Sequence, residues 1–144
     1  LVLKPHPSEK NINLYRKVIN SHSNNFISID TLNNIDTLIE VGDIVIILNS
    51  TAGIDSLLNG CVLINLQIKD FPNSVPYSKF SVSISTNLQN LSKSVIEALN
   101  VRNNLKNYFN KVKLFLDEYV NLENNTTDYS KNILNFILDN KEKQ

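Results

Sequence analysis

The sequence predicts a doubly wound α/β fold: a mostly parallel sheet with helices on both faces, followed by a helical C-terminal tail. Short apolar runs alternate with segments of helical periodicity, and the connections between them are short. The run Ile44 to Leu48 is apolar at every position, as a strand covered on both faces of a parallel sheet requires, and it is placed at the sheet centre.

The elements follow in order. Leu1-Val2-Leu3 reads as the end of a buried strand, and Lys4-Pro5-His6-Pro7 must leave the sheet because proline cannot donate to a ladder. Ile12, Tyr15, Val18 and Ile19 recur at helical spacing, with Arg16 and Lys17 on the polar face. Phe26 to Ile29 is a short strand. Ile35, Leu38 and Ile39 mark a second helix that Gly42 closes as a glycine C-cap would. After the strand Ile44 to Leu48, the segment Asn49-Ser50-Thr51-Ala52-Gly53 turns into a helix bearing Ile54, Leu57 and Leu58. Asn59-Gly60 ends that helix, and Cys61 to Leu66 forms the next strand. Lys69 to Ser78 reads as a loop, and Phe80, Val82 and Ile84 as a half-exposed edge strand. Thr86 with Gln89 resembles a capping box opening a helix through Leu99. The rest is helical: one stripe runs Leu105, Tyr108, Phe109, Val112, Leu116, Tyr119, Val120, and another runs Tyr129, Ile133, Leu134, Phe136, Ile137. Right-handed βαβ crossovers are expected.

Composition bounds the function classes. The chain has 144 residues, is 42% hydrophobic and 19% charged, and carries a formal net charge of +0, the profile of a globular domain with one core. Lys and Arg are scattered, so the basic stripe of a nucleic-acid binder is absent. The single cysteine, Cys61, reads as a small buried hydrophobe and leaves no disulfide within the chain. Apolar runs fall far short of the roughly 20 residues a membrane span needs, and with no leader pattern the chain reads as cytoplasmic. The sequons at Asn49 and Asn125 are expected by chance in so asparagine-rich a chain. With no methionine and a strand already under way at Leu1, the chain is expected to be a piece of something longer.

In open parallel sheets ligands bind outside the carboxyl ends of the strands, so the loops at Lys4, Asp30, Asn49 and after Leu66 should share one edge. Two of them carry candidate chemistry. In Lys4-Pro5-His6-Pro7-Ser8-Glu9 two prolines fix the backbone around a histidine able to donate to a phosphate; a satisfied turn histidine is the alternative. In Asn49-Ser50-Thr51-Ala52-Gly53 two hydroxyls and a glycine sit where a strand meets a helix N-terminus, a ready anion site in which Gly53 admits close approach; ordinary N-capping is the alternative, and both can hold. Asp55, just inside that helix, either favours the dipole or reaches a ribose hydroxyl. The turn is neither a Walker loop nor a G-x-G-x-x-G fingerprint, and no G-x-S-x-G elbow is present. With only His6 and His22 available and no ligand spacing, neither a metal nor any other cofactor is expected.

Together, Lys4-Pro5-His6-Pro7-Ser8-Glu9, Gly42 to Ile46 and Ser50 to Leu63 resemble the C-terminal, Rossmann-like donor domain of GT-B-fold glycosyltransferases. The resemblance is to bacterial capsule and surface-polysaccharide enzymes, including sialyltransferase-like members with paired His-Pro and Ser-Ser/Thr motifs, and it covers most of the chain. It implies that His6, Ser50 and Thr51, with Gly53, bind the phosphate of a nucleotide-sugar donor, CMP- or UDP-activated, and that Lys4, Glu9 and Asp55 are further donor contacts. Asp55 stands where relatives usually have glutamate, and Cys61 where they have lysine. The resemblance also implies a missing N-terminal acceptor domain holding the catalytic base, so residues 1–144 are expected to bind but not to catalyse. It leaves peripheral membrane association of the full enzyme open. UDP-N-acetylglucosamine 2-epimerases, teichoic-acid glycerophosphate transferases and a non-catalytic nucleotide-binding domain are the alternatives. The Ser-Gly-Gly-x-x-Glu-Glu turn of the epimerases is not matched at Ser50 to Asp55.

Overall fold

A computed structural model describes residues 1–21, 26–48, 50–70 and 75–120. Asn49, His22 and the stripe from Tyr129 to Ile137 lie outside the described residues. The chain is α/β with parallel strands in two small sheets, and it divides into two compact units, Leu1–Leu38 and Ile39–Gln144.

In the first unit β1 (Val2–Leu3) pairs in parallel with β2 (Ser28–Ile29), and α1 (Ile12–Ser21) packs on β2 between them in sequence. The strand expected from Phe26 is only its last two residues, and Phe26 itself is 83% exposed. At the carboxyl ends of the two strands Lys4 and Asp30 face each other, Nζ to Oδ1 3.9 Å. Asp30 Oδ1 also accepts the backbone N–H groups of Leu32 and Asn33, at 2.9 and 2.8 Å, closing an Asx turn. Asn33, from its side chain and its backbone, holds the Asp30 carboxyl below the usual carboxylate range, with Leu32 and Lys4 adding to it against the cost of burial. The Asx turn leads into α2 (Ile35–Val41). That helix ends with Gly42 N–H on the Ile39 carbonyl at 3.1 Å but without the left-handed backbone of a glycine C-cap, since Gly60 alone among the three glycines has positive φ.

The second unit carries the main core. β3 (Ile44–Ile47), β4 (Val62–Leu66) and β5 (Ser83–Thr86) are parallel and lie in the order β3-β4-β5. Ile44 pairs with Val62, and Leu63 with Ser83. The centre of this sheet is therefore β4 and not Ile44–Leu48 as the sequence suggests. Val62, Leu63 and Ile64 are fully buried, whereas Ile46 is 38% exposed. The physical difference is cover: α3 (Ala52–Leu58) and α4 (Leu91–Arg102) both pack on β4. α3 ends in a Schellman motif: Gly60, at φ 79°, donates to Leu57 O at 3.2 Å and Cys61 to Ser56 O at 2.9 Å. This turn delivers Cys61 into the core, where Sγ meets the carbonyls of Gly42 and Ile39 at 3.2 and 3.3 Å. Burial, with Asp43 adding to it, pushes the thiol up to about 11.

Two boundaries fall later than the sequence suggests. Tyr77 to Ser81 fold into turns, ending at Ser81 with φ 54°, so β5 starts at Ser83 and Phe80 lies outside it. Thr86 still pairs with Leu66 in the ladder, so Asn87 takes the cap, its Oδ1 accepting Asn90 N–H at 3.0 Å ahead of a 3₁₀ turn and α4. After a break at Asn103-Asn104, α5 (Leu105–Phe115) buries Tyr108, Phe109, Val112 and Phe115 and runs into a π-helical turn, Leu116–Val120. The stripe is thus interrupted: Tyr119, expected in the core, is 43% exposed. No helix of the described residues is long and apolar enough to cross a membrane.

Candidate functional site

The His6 loop belongs to the first unit and the Ser50 to Gly53 turn to the second, and each has its own local geometry. His6 is exposed and held by its own turn. Ser8 N–H donates to Nδ1 at 3.2 Å, Ser8 Oγ lies 2.7 Å from the same nitrogen, and Glu9 N–H donates to the His6 carbonyl at 2.8 Å. With Nδ1 accepting, the ring proton sits on Nε2, which is left as a donor. Lys4 donates to the Asn33 carbonyl besides facing Asp30, so its charge is engaged across the β1–β2 edge. Glu9 accepts Asn11 N–H at 2.8 Å and the Tyr15 hydroxyl at 3.3 Å, starting α1. Both residues thus have structural partners independent of any donor.

In the second unit the chain leaves β3 and enters α3 through Ser50 and Thr51. Ser50 Oγ accepts Ala52 N–H at 3.2 Å, Ser50 O accepts Gly53 N–H at 3.2 Å, and Thr51 O accepts Ile54 N–H at 2.8 Å. The amides that would cradle a phosphate already have partners within the turn. The Thr51 hydroxyl, on an exposed residue, makes no capping bond. Asp55 lies exposed in the first turn, where its charge suits the helix dipole.

Gly53 serves a purpose other than the expected one. A Cβ there would stand 2.6 Å from Tyr77 Oη and 2.8 Å from Ile47 Cδ1, so the space opened by glycine is filled by a tyrosine and not left to a ligand. Tyr77 is 1% exposed and donates to the Ser50 carbonyl at 2.8 Å, fixing the turn from the loop after Leu66, in which the sequence singles out no side chain. Its burial raises the phenol well above the ordinary tyrosine range. A lone Pro76-Tyr77 pair carries no signal of this role; only the glycine 24 positions earlier in the sequence hints that something bulky must fit there.

No group of three or more His, Cys, Asp or Glu able to hold a metal ion occurs among the described residues. Comparison of the chain with protein-family models, with curated proteins and with solved structures gave no match.

Proposed function

We propose that the chain is the donor-binding domain of a GT-B-fold glycosyltransferase acting in surface-polysaccharide biosynthesis, binding a CMP- or UDP-activated sugar. The observation that carries the reading is the turn itself: two hydroxyls, Ser50 and Thr51, at the carboxyl end of a parallel strand where the next helix begins. Because the neighbouring amides are engaged in the turn, the hydroxyls are the groups that would meet a phosphate. The resemblance adds His6, in the loop after the parallel strand β1 of the first unit, as a further candidate donor contact. A doubly wound Rossmann-like sheet with a helical tail, a cytoplasmic setting and an N-terminal acceptor domain on another stretch of chain belong to the same proposal. The isolated chain would bind donor without turning it over.

Thermal unfolding in the presence of CMP, CDP, UDP and GDP tests the reading. A nucleotide at 100 times its dissociation constant should stabilise the domain by about 2.7 kcal/mol. Stabilisation by CMP assigns an acidic-sugar transferase, and by UDP a hexosamine enzyme or an epimerase. No shift with any of the four overturns the proposal. Replacing Ser50 and Thr51 together with alanine should weaken binding more than tenfold, while costing the fold only about 1 kcal/mol for the lost bond from Ala52 N–H to the Ser50 hydroxyl. His6→Ala should weaken binding with little loss of stability, since the ring is exposed. Variants that unfold while their folded fraction binds normally would make these residues structural.

A further inference from the structure

The first unit lacks what holds the second together. None of the described residues of Leu1–Leu38 is buried, whereas fully buried side chains such as Val62, Leu63 and Phe115 fill the second unit. The strands of the first unit are two residues long, and α1 leaves Leu14 56% and Val18 53% exposed. Burial of apolar surface is the dominant favourable term in folding, so a unit without it depends on its polar contacts and opens at low free energy.

Those contacts converge on Asp30. One of its oxygens accepts the backbone N–H groups of Leu32 and Asn33, the other accepts the Asn33 carboxamide, and Lys4 Nζ stands 3.9 Å away while donating to the Asn33 carbonyl. One carboxylate thus ties three segments: the end of β1 through Lys4, the end of β2 on which it stands, and the turn into α2. Beside it β2 donates two bonds to β1, Ser28 N–H to Leu1 O at 3.0 Å and Asp30 N–H to Leu3 O at 2.9 Å. The groups around the carboxyl are all donors. They favour the ionised form, which accepts on both oxygens, over the acid, which must place a proton on one of them. Lys4 is the charge that meets Asp30. α1, packed on β2, carries Arg16 and Lys17 at exposed positions and is preceded by exposed Lys10 and by Glu9, which is bonded to Tyr15; α2 has Asp36 in its first turn, and His6 is exposed in its own turn.

We propose that Asp30 is the catch of an acid-released latch: ionised, it holds the ends of β1 and β2 and the entry to α2 together, and protonated, it lets the first unit open while the second stays folded. The latch is independent of the nucleotide-binding reading. Asn33, then Leu32 and Lys4, hold the carboxyl below its ordinary range. The stability it lends is therefore in place above the unfolded value of about 3.9, and is lost as pH falls through the lower folded value. In the second unit burial pushes Cys61, Tyr77 and Tyr108 upward, so these groups are neutral at acid and at neutral pH and acidification leaves their contacts as they are. The Asp43–Arg102 pair of that unit, with Asp43 68% exposed, is of the surface kind that contributes little. Because His6 lies two residues beyond Lys4, opening the latch also frees the histidine turn from the strand end.

Amide hydrogen exchange of the 144-residue chain, read by NMR with each rate divided by its intrinsic value at that pH, tests the latch. From pH 6 to pH 2 the Ser28 and Asp30 amides should lose about tenfold or more in protection. Val62 and Leu63, whose amides bond Asp43 O and the Tyr108 hydroxyl, should change by less than about threefold. Asp30→Asn keeps a side-chain oxygen for Leu32 and Asn33 but not the charge. At pH 6 its Ser28 amide should already exchange as the parent's does at pH 2, and its protection should no longer depend on pH, with the second unit unchanged. Protection at Ser28 that is flat from pH 6 to pH 2 overturns the latch, as does an acid-dependent loss that survives in Asp30→Asn. A loss complete above about pH 5, where histidine titrates and carboxylates do not, transfers the effect to His6 and overturns it too. Loss of protection in both units at the same pH, or unfolding of both in Asp30→Asn, also overturns the proposal, because the first unit then does not open by itself.

Discussion

Tyr108→Phe should destabilise the sheet of the second unit by about 2–6 kcal/mol, although it removes a single oxygen atom. That hydroxyl accepts Leu63 N–H at 3.0 Å and donates to Val82 O at 2.8 Å, with Cys61 O further away at 3.4 Å. It sits just where the ladder between β4 and β5 begins, since Leu63 and Ser83 are the first paired residues. The phenol therefore joins the two strands one step before their own bonds can. Leu63 and Val82 are fully buried, so phenylalanine would strand an amide and a carbonyl away from water, at about 1–3 kcal/mol each. Burial also drives the Tyr108 phenol well above the tyrosine range, so it stays a neutral donor at any ordinary pH. Against a typical stability of about 5–15 kcal/mol the loss is large. Urea unfolding should show a lower midpoint at unchanged slope. A loss below about 0.5 kcal/mol would mean that water replaces the hydroxyl, and that the site is not dry.

Tyr108 also shows where the sequence stops being legible. Its place in the stripe of α5 is readable from the helical period, but its partners lie 45 residues away in Leu63 and 26 in Val82, and no local pattern announces them. Tyr77 is the same case, reaching Ser50 across 27 residues. What local chemistry controls was legible: the Asn59-Gly60 ending of α3 became a Schellman turn, and the Ser50-Thr51 pair does lie between a parallel strand and a helix. What pairing controls was not. β3 and β4 are almost equally apolar, so the sequence could not tell which has a strand on each side. Thr86 and Asn87 can both cap a helix; the ladder bond to Leu66 assigns the work to Asn87. His6 was placed after a strand, as expected, yet its bond to Ser8, two residues on, is a local feature the histidine-proline pattern did not suggest. The satisfied amides of the Ser50 turn, which move weight from backbone to hydroxyls, depend on backbone angles that residue identities do not fix.

Gly53→Ala should be destabilising by about 2–3 kcal/mol, the reverse of what its position in a helix suggests. In an open helix the change would gain up to about 1 kcal/mol, because alanine has the better propensity. Here the new methyl would stand 2.6 Å from Tyr77 Oη, 2.7 Å from Tyr77 Cζ and 2.8 Å from Ile47 Cδ1, closer than unbonded atoms approach. The ring has nowhere to go, being 1% exposed, in contact with Phe115 and tied to Ser50 by its hydroxyl. Either α3 shifts away from β3 or Tyr77 gives up its bond, and overpacking of this kind costs about 1–3 kcal/mol before the lost bond is counted. Tyr77→Phe alone should cost about 1 kcal/mol. In the double variant the contact with the oxygen is gone while that with the ring carbon remains, so the combined loss should be less than the sum, a coupling that chemical denaturation of all four proteins would measure. Gly53→Ala should also move the Ser50-Thr51 turn, and with it any nucleotide binding, whereas Tyr77→Phe should disturb the turn less. A Gly53→Ala protein more stable than its parent would show that Tyr77 does not fill the space beside the glycine.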